Sequence, residues 1–302
     1  MGWPVCRRFT ENGDPAVKTL VTGAAGFVGR HVVNELLSRG HQVIAVDRDE
    51  DRARTMPWFQ SCRFITHDIY LPISSPRKVF GDADVVIHLA WQGLPNYKEL
   101  FHFEDVLPAD FRFLKSLLTS SYSQLLITGT CLEYGMQSGC LKEALPTRPS
   151  NPYALAKDTL RKALEMLKAQ HPFTLQWGRL FYMYGEGQNP GSLLAQLDRA
   201  IEAGDPVFNM SGGEQLRDYL PVQQVAAYLV TIAESPNFGG IVNVCSGVPI
   251  SVRRLVEQRI ADRKSMIRLN LGYYPYPDYE PMAFWGDRHK LDGILEGRQE
   301  WI

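Results

Sequence analysis

A tyrosine and a lysine stand four positions apart in the segment YALAK, at Tyr153 and Lys157. On a helix this spacing places both side chains on one face, where the ammonium group can stabilise a phenolate and bring its pKa towards neutrality. Such a tyrosine can exchange a proton with a carbonyl or alcohol oxygen. Thr130, in the segment GTCLEYG, can hydrogen-bond the same oxygen. These residue types indicate a site where a proton moves on one side of a carbon atom and a hydride on the other.

A glycine-rich segment, TGAAGFVG, offers the second half of such a site. Gly23, Gly26 and Gly29 follow an apolar strand-like run and open a helical pattern, which brings backbone N–H groups close to a pyrophosphate. The next strand-like run ends at Asp47, whose carboxylate can accept hydrogen bonds from ribose hydroxyls and would repel a ribose phosphate. The pattern therefore predicts a dinucleotide and favours NAD(H). Arg48 follows directly and can bind a ribose phosphate, which leaves NADP(H) open.

Strand-like and helical segments alternate along the chain, which predicts an α/β fold with a doubly wound parallel sheet of the Rossmann type. We expect an N-terminal tail over residues 1–16 and a smaller C-terminal substrate-binding domain. The predicted boundaries are 17–180 and 217–247 for the dinucleotide-binding domain, and 181–216 and 248–302 for the substrate domain. The segment NLGYYPYPDYEPMAFWG is too rich in proline and aromatic residues for a regular element, and we expect either a packed lid or a substrate-contacting loop.

The composition is that of a globular protein, with 302 residues, of which 45% are hydrophobic and 22% charged. A formal net charge of −1 without a run of lysine and arginine indicates no nucleic-acid partner and no membrane-surface partner. The N-terminus lacks the apolar core of a secretory signal, and no segment has the length of a membrane span, so we expect a cytoplasmic protein. Scattered cysteines without CxxC spacing favour free thiols, and no set of residues suggests a metal site.

The sequence resembles the extended short-chain dehydrogenase/reductases that act on nucleotide-sugars, the NAD-dependent epimerase/dehydratase family. The resemblance rests on TGAAGFVG, HLA, GTCLEYG, YALAK, GRLFYMYGEGQ, LRDYLPVQQVA and NVCSG. It implies that Thr130, Tyr153 and Lys157 are the catalytic triad. The residues that it implies for the dinucleotide are Gly23, Gly26, Phe27, Val28, Gly29, Asp47, Arg48, Asp68, Ile69, Leu89, Ala90, Tyr153 and Lys157.

The resemblance also implies a nucleotide-diphosphate sugar as substrate. Arg217 matches the arginine that family members commonly place on the substrate diphosphate, and the alternative is a surface pair with Asp218. Tyr182 stands in the place of an asparagine that many relatives use there, and Glu280 stands roughly where several epimerases have a further arginine. The full set of predicted substrate contacts is Trp91, Thr130, Tyr182, Phe208, Arg217 and Tyr274. Core or lid packing is the alternative for each of the aromatic residues among them.

The residues after the catalytic threonine depart from one branch of the family. Dehydratases that resemble the glucose 4,6-dehydratases carry Asp-Glu there, whereas this chain has Cys131 and Leu132, which cannot supply an acid and a base for elimination at neutral pH. For Glu133, which would face the other way on a strand, we expect a backbone group or an arginine as partner. His88 is expected to be a buried, hydrogen-bonded histidine rather than a base.

The sequence thus predicts NAD(P)H-dependent reduction of an NDP-4-keto-6-deoxyhexose at C4, with the proton from Tyr153. The resemblance is greatest to enzymes that make deoxysugars for surface polysaccharides such as O-antigen. Two alternatives stay open: an NDP-sugar 4-epimerase that retains its NAD, and a non-catalytic dinucleotide-binding regulator on the same fold. The resemblance further implies a homodimer, in which helices at roughly 105–120 and 153–170 pair with their copies.

Overall fold

The structure is a computed structural model that describes residues 16–297, so all of the predicted N-terminal tail except residue 16 lies outside the described residues. The strands are β1 (Lys18–Thr22), β2 (Gln42–Asp47), β3 (Arg63–Thr66), β4 (Val85–His88), β5 (Gln124–Thr130), β6 (Gly139–Leu141), β7 (Thr174–Leu180), β8 (Tyr182–Tyr184), β9 (Val207–Asn209), β10 (Leu216–Pro221), β11 (Gly240–Val244), β12 (Pro249–Ser251), β13 (Arg268–Asn270) and β14 (Phe284–Gly286). The helices are α1 (Phe27–Ser38), α2 (Glu50–Arg54), α3 (Pro76–Phe80), α4 (Leu107–Thr119), α5 (Pro152–Leu167), α6 (Leu193–Ala203), α7 (Val222–Ala233), α8 (Val252–Asp262) and α9 (His289–Leu295).

A seven-stranded sheet lies at the centre, in the order β11-β7-β5-β4-β1-β2-β3, and all of its neighbouring strands are parallel. From β1 the chain adds strands outward to β2 and β3, and from β4 it adds them in the opposite direction. In such a sheet ligands bind at the carboxyl ends of the strands, next to the point where the order reverses. The predicted doubly wound α/β fold is confirmed.

Helices cover both faces of this sheet because its strands are apolar on both sides. On β1, Val21 packs in the cluster that contains α1 and α7, whereas Leu20 points into the cluster that contains α4 and α5. On β5, Leu126 faces the first cluster and Leu125 faces the second. This alternation with a period of two explains why the strands form nearly continuous hydrophobic runs in the sequence.

Smaller sheets lie outside the central one: β12-β10-β8, β13-β9 and β14-β6. Strand β10 crosses the proposed domain boundary at residue 217 and pairs with β8 and β12 rather than with the central sheet. The aromatic segment predicted to be irregular has no helix or strand over residues 271–282, which we call the strap, but it ends in strand β14. The division of the chain into two domains stays a proposal.

No helix within residues 16–297 is long and apolar enough to span a bilayer. Over the same residues, no cluster of three or more His, Cys, Asp and Glu side chains is arranged to hold a metal ion. The free cysteines are Cys62, Cys131, Cys140 and Cys245, and Cys6 lies outside the described residues.

Candidate active site

A cleft of about 900 Å³ opens at the carboxyl ends of the central strands. The predicted site residues that line it are Gly23, Gly26, Phe27, Val28, Gly29, Asp47, Arg48, Asp68, Ile69, Leu89, Ala90, Trp91, Thr130, Tyr153, Lys157 and Tyr182. The other three, Phe208, Arg217 and Tyr274, line a second cavity of about 300 Å³. Tyr182, Tyr219 and Glu280 border both cavities, so the two adjoin.

The segment that joins β1 to α1, the glycine loop, has no room for a side chain at Gly23 or Gly29. Gly23 has a φ of +68°, and a Cβ there would lie 2.8 Å from the backbone nitrogen of Ala90. A Cβ at Gly29 would lie 2.0 Å from the carbonyl oxygen of Gly23, because α1 packs directly on the loop. The N-cap of α1 is Gly26, so no side chain covers the N–H groups of the first turn. This backbone cradle fits the pyrophosphate of a dinucleotide.

Asp47 is fixed at the end of β2, facing the glycine loop. Its Oδ2 accepts from the backbone N–H of Ala25 at 3.0 Å and its Oδ1 from that of Asp49 at 3.1 Å. A carboxylate has further lone pairs for ribose hydroxyls, so this position fits NAD. Arg48 is exposed and donates from Nη1 to Gln92 Oε1 at 3.0 Å.

The two predicted adenine neighbours follow β3. Asp68 caps its own turn, since its Oδ1 accepts from the backbone N–H of Tyr70 at 3.0 Å, and it also borders the cleft. Ile69 is buried beside it. The turn function that the sequence allowed for Asp68 is therefore present together with the position that a ligand contact requires.

Thr130, Tyr153 and Lys157 come together at the centre of the cleft and are buried. Thr130 is the last residue of β5, and the other two lie in the first turns of α5, which begins with Asn151 as N-cap and Pro152 at the first helical position. The Thr130 hydroxyl accepts from the backbone N–H of Leu132 at 3.2 Å and hydrogen-bonds the Tyr153 phenol. The threonine can thus orient the phenol towards a substrate oxygen.

Burial dominates the electrostatics of the tyrosine and the lysine. It raises the pKa of Tyr153 well above its usual range, and the neighbouring Tyr97 and Glu133 raise it further, while the hydrogen bond with Thr130 acts in the opposite direction. Burial lowers the pKa of Lys157 to about 8. The expectation that the ammonium group brings the phenol pKa towards neutrality is therefore wrong for this structure, because desolvation outweighs it.

Lys157 has surroundings that favour its charged form despite this burial. Its Nζ lies 3.9 Å from the centroid of the Trp91 ring, a cation–π contact. The carboxylates of Asp110 and Glu133 also raise its pKa, so that an ammonium and a protonated phenol coexist at neutral pH. A protonated phenol is a proton donor.

The carboxylate of Glu133 is buried behind Thr130. Its Oε1 accepts from the backbone N–H of Thr130 at 2.9 Å and from Trp177 Nε1 at 3.0 Å, and its Oε2 accepts from Arg179 Nε at 2.7 Å. The predicted partners, a backbone group and an arginine, are both confirmed. Glu133 lies on a 3-10 turn (Cys131–Tyr134) rather than on a strand.

Gly129 makes room for this arrangement. A Cβ there would lie 2.1 Å from Trp177 Nε1 and 2.3 Å from Glu133 Oε1. Any larger residue before the catalytic threonine would therefore push the carboxylate or the indole out of place.

His88 and Asp110 form a second polar pair in the core. His88 bonds Thr22 Oγ1 at 2.8 Å through Nδ1 and Asp110 Oδ2 at 3.1 Å through Nε2, and it is fully buried, so the expected structural histidine is confirmed. Sequence reasoning missed Asp110. A signal for it exists, because Asp110 stands three residues from the buried Leu107 and Phe113, on the apolar face of α4.

Three aromatic rings surround the phenol of Tyr153, and the sequence singled out only one of them, Trp91. The rings of Tyr97 and His102 lie 5.5 Å and 5.3 Å from it, and that of Trp91 lies at 5.9 Å. Trp91 Nε1 donates to His102 Nδ1 at 3.1 Å, which fixes both rings. Tyr97 belongs to the irregular connection after β4, and His102 begins a π-helical turn (His102–Val106) that leads into α4. The sequence analysis marked neither residue.

Arg217 does not pair with Asp218, the alternative left open by the sequence. Its Nη1 donates to the carbonyls of Leu216 at 2.8 Å and Met282 at 3.2 Å, and its Nη2 lies 3.2 Å from Glu280 Oε1. Asp218 instead accepts from backbone N–H groups at the end of β11. The guanidinium is buried at the border of the second cavity.

The remaining predicted substrate contacts differ in their surroundings. The Tyr182 hydroxyl donates to Glu280 Oε2. Phe208 is buried and packs with α6 and α8 in a small core cluster, in accordance with the packing alternative, although it also borders the second cavity. Tyr274 is 55% exposed, on the strap.

The buried lysine makes stability depend on pH. Its pKa is about 8 in the folded protein against an ordinary 10.5, so between these values the unfolded chain binds a proton that the folded chain does not. We expect the free energy of unfolding to rise by on the order of 3 kcal/mol between about pH 7 and about pH 10, relative to the variant Lys157→Met, which lacks this titration. Urea unfolding of both proteins measures it. A stability difference that does not change with pH would contradict the buried charge.

The Glu133–Arg179 pair should be sensitive to the loss of one partner. Glu133→Gln leaves Arg179 buried beside a neutral side chain, and we expect a loss of about 3–5 kcal/mol of unfolding free energy. The double variant Glu133→Gln with Arg179→Met removes both charges and should recover much of that loss. As a control, Glu257→Gln removes a half-exposed ion pair with Arg253 and should cost less than about 1 kcal/mol. If Glu133→Gln were as stable as the control variant, the Glu133–Arg179 pair would not be what holds the site together.

Comparisons with known proteins agree with this geometry. A model of the "NAD dependent epimerase/dehydratase family" matches residues 19–245. A dTDP-6-deoxy-L-talose 4-dehydrogenase (NAD(+)) from Aggregatibacter actinomycetemcomitans is 31% identical over 270 residues, which are 88% of this chain and 98% of that protein. YtcB of Bacillus subtilis (strain 168), an uncharacterized UDP-glucose epimerase, is 25% identical over 299 residues and covers 92% of both chains.

The solved structure of MoeE5 in complex with UDP-glucuronic acid and NAD has a TM-score of 0.78 at 26% identity, with 92% of each chain covered. The resemblance inferred from the sequence and the choice of NAD as cofactor are thus confirmed at the level of the family. With the glycine loop, Asp47 and the buried Tyr153 and Lys157 in one cleft, the chain belongs to the NAD-dependent epimerase/dehydratase family.

Proposed function

We propose that the protein reduces an NDP-4-keto-6-deoxyhexose at C4 in deoxysugar biosynthesis, with NADH favoured over NADPH. The observation that carries this proposal is the position of Tyr153, buried beside Thr130 and Lys157 in the cleft that contains the glycine loop. When bound, the nicotinamide would supply the hydride. The glycine loop would hold the pyrophosphate and Asp47 the adenosine ribose.

In this reaction the chain supplies the proton and the charge balance. Tyr153 donates its proton to O4 of the sugar, and Thr130 hydrogen-bonds the same oxygen and keeps it in line with the phenol. The ammonium of Lys157 stabilises the phenolate left behind. The rings of Trp91 and Tyr97 exclude water around the phenol, which strengthens each of these interactions.

The residues beside Thr130 do not support elimination of water. Cys131 and Leu132 border the cleft, and burial raises the pKa of the Cys131 thiol, so neither is an acid or base at neutral pH. The carboxylate of Glu133 is turned away towards Arg179. The site therefore suits transfer of a proton to or from one oxygen rather than dehydration of a sugar.

The relative from Aggregatibacter actinomycetemcomitans supports chemistry at C4. Its name describes oxidation of a 6-deoxysugar at C4 with NAD(+), and reduction of the 4-ketone is the same reaction in the opposite direction. The second candidate is a 4-epimerase with retained NAD, which the likeness to YtcB favours and which needs the same triad. The difference lies only in whether the hydride returns to the same sugar. A non-catalytic regulator would have no use for a buried proton donor.

A cofactor assay distinguishes these candidates. We expect the purified protein to consume one equivalent of NADH for each NDP-4-keto-6-deoxyhexose that it converts to a 6-deoxysugar nucleotide. Tyr153→Phe should lower kcat by about 10²–10⁴-fold, because the proton donor is lost. Tyr273→Phe, which changes an exposed phenol on the strap, is the matched control and should keep full activity. Interconversion of ordinary NDP-hexoses at C4 without net loss of NADH would instead establish the epimerase.

We also propose a homodimer that pairs α4 and α5 with their copies. On α5, Leu155 is 44% and Met166 79% exposed, an apolar surface that a partner helix could cover. We expect light scattering to give twice the chain mass, and the charged pair Leu155→Glu with Met166→Glu to give a folded monomer. Met266→Glu, at another exposed methionine, is the control and should leave the mass unchanged. A monomeric wild type would contradict the proposal.

A further inference from the structure

A carboxylate reaches the substrate end of the cleft from the strap. Glu280 borders both cavities, and only 8% of its side chain is exposed. It is surrounded by Arg217, which is buried, and by Tyr182 and Tyr219, which are half-buried. A carboxylate buried at the border of a cleft that must accept an anionic ligand calls for a physical explanation.

The carboxylate occupies the place on Arg217 where an anion would bind. Nη1 of the guanidinium is taken by the carbonyls of Leu216 and Met282, while Nη2 meets Glu280 Oε1 at 3.2 Å. The other carboxylate oxygen, Oε2, accepts from the hydroxyl of Tyr182. A ligand phosphate that approached Nη2 would meet a negative charge already there. The phosphate and Glu280 therefore compete for one side of the guanidinium.

Backbone hydrogen bonds hold the two ends of the strap, from Tyr273 N to Met210 O at 2.9 Å and from Leu216 N to Met282 O at 2.8 Å. Between them, side chains connect the strap to the rest of the chain, and one of these connections is the exposed ion pair of Lys98 with Asp278. Such a pair at the surface contributes little to stability.

We propose that Glu280 is a latch, a carboxylate that holds Arg217 until the diphosphate of a nucleotide ligand displaces it. This inference rests on the proposed function, since it assigns to Arg217 the substrate diphosphate. The charged oxygens of a diphosphate can take the place of the carboxylate on the guanidinium. Displacing Glu280 costs free energy, so the latch weakens the binding of every ligand whose phosphate must reach Arg217.

Binding of dTDP, UDP and dTMP, measured by calorimetry, tests the latch. Glu280→Gln keeps the size of the side chain and its contact with Tyr182 but removes the competing charge, so dTDP or UDP should bind about tenfold more tightly than to the wild type. The gain in affinity for dTMP should be no larger than the gain for dTDP, because displacing Glu280 costs the same free energy for every ligand that reaches Arg217. Asp278→Asn removes a charge from the same strap at an 80% exposed side chain, and its affinities should stay within about twofold of the wild type. Thermal unfolding of each variant confirms that it is folded.

Weaker binding of the diphosphates to Glu280→Gln would overturn the latch, because Glu280 would then be a ligand contact. Equal binding would also overturn it. If neither protein bound dTDP or UDP, both the latch and a nucleotide-sugar substrate would fail. If binding tightened as expected but no 4-ketosugar were reduced, the latch would stand and the proposed reaction alone would fail.

Discussion

The catalytic centre depends on one buried ion pair, between Glu133 and Arg179. The carboxylate binds the backbone N–H of Thr130 on β5, while the guanidinium comes from the neighbouring strand β7, so the pair joins the two strands just where they end in the cleft. Burying two charges is expensive, and here Trp177 satisfies the carboxylate while the Tyr134 ring lies 4.5 Å from the guanidinium. Both oxygens of the Glu133 carboxylate are hydrogen-bonded, so the pair fixes the backbone of Thr130. The position of the threonine hydroxyl follows from that backbone.

A second consequence of this pair is electrostatic. Glu133 and Asp110 are buried carboxylates that both raise the pKa of Lys157, and Glu133 also raises that of Tyr153. Of these two carboxylates, Glu133 pairs with Arg179, and Asp110 is hydrogen-bonded by His88. The cleft thus keeps a proton on the phenol and a charge on the lysine at neutral pH. A protonated phenol can donate a proton, as the proposed reduction requires.

The sequence predicts those parts of the site that local geometry defines. The glycine loop and the pair Tyr153 and Lys157 are set by spacings within one turn or helix, and the structure brings them into one cleft. The sequence marks Asp110 only as a polar residue on the apolar face of α4, and it does not mark Tyr97. Their proximity to the lysine and the phenol arises only when β4, α4 and α5 pack together. The pKa of Tyr153 was mispredicted for the same reason: the number of surrounding groups that exclude water is a property of the packed core, not of the spacing between two residues.

The chemistry that the site can support depends on how many positions after Thr130 the sequence places an acidic residue. The first two residues of the 3-10 turn, Cys131 and Leu132, border the cleft, whereas the third, Glu133, points into the core. An acid one or two places after Thr130 would face the sugar, but an acid three places after it reaches back to the threonine N–H in a capping box. Gly129 then becomes necessary, since a Cβ would collide with that carboxylate. A carboxylate used in this way gives rigidity to the proton donor, and it cannot at the same time remove a proton from the substrate.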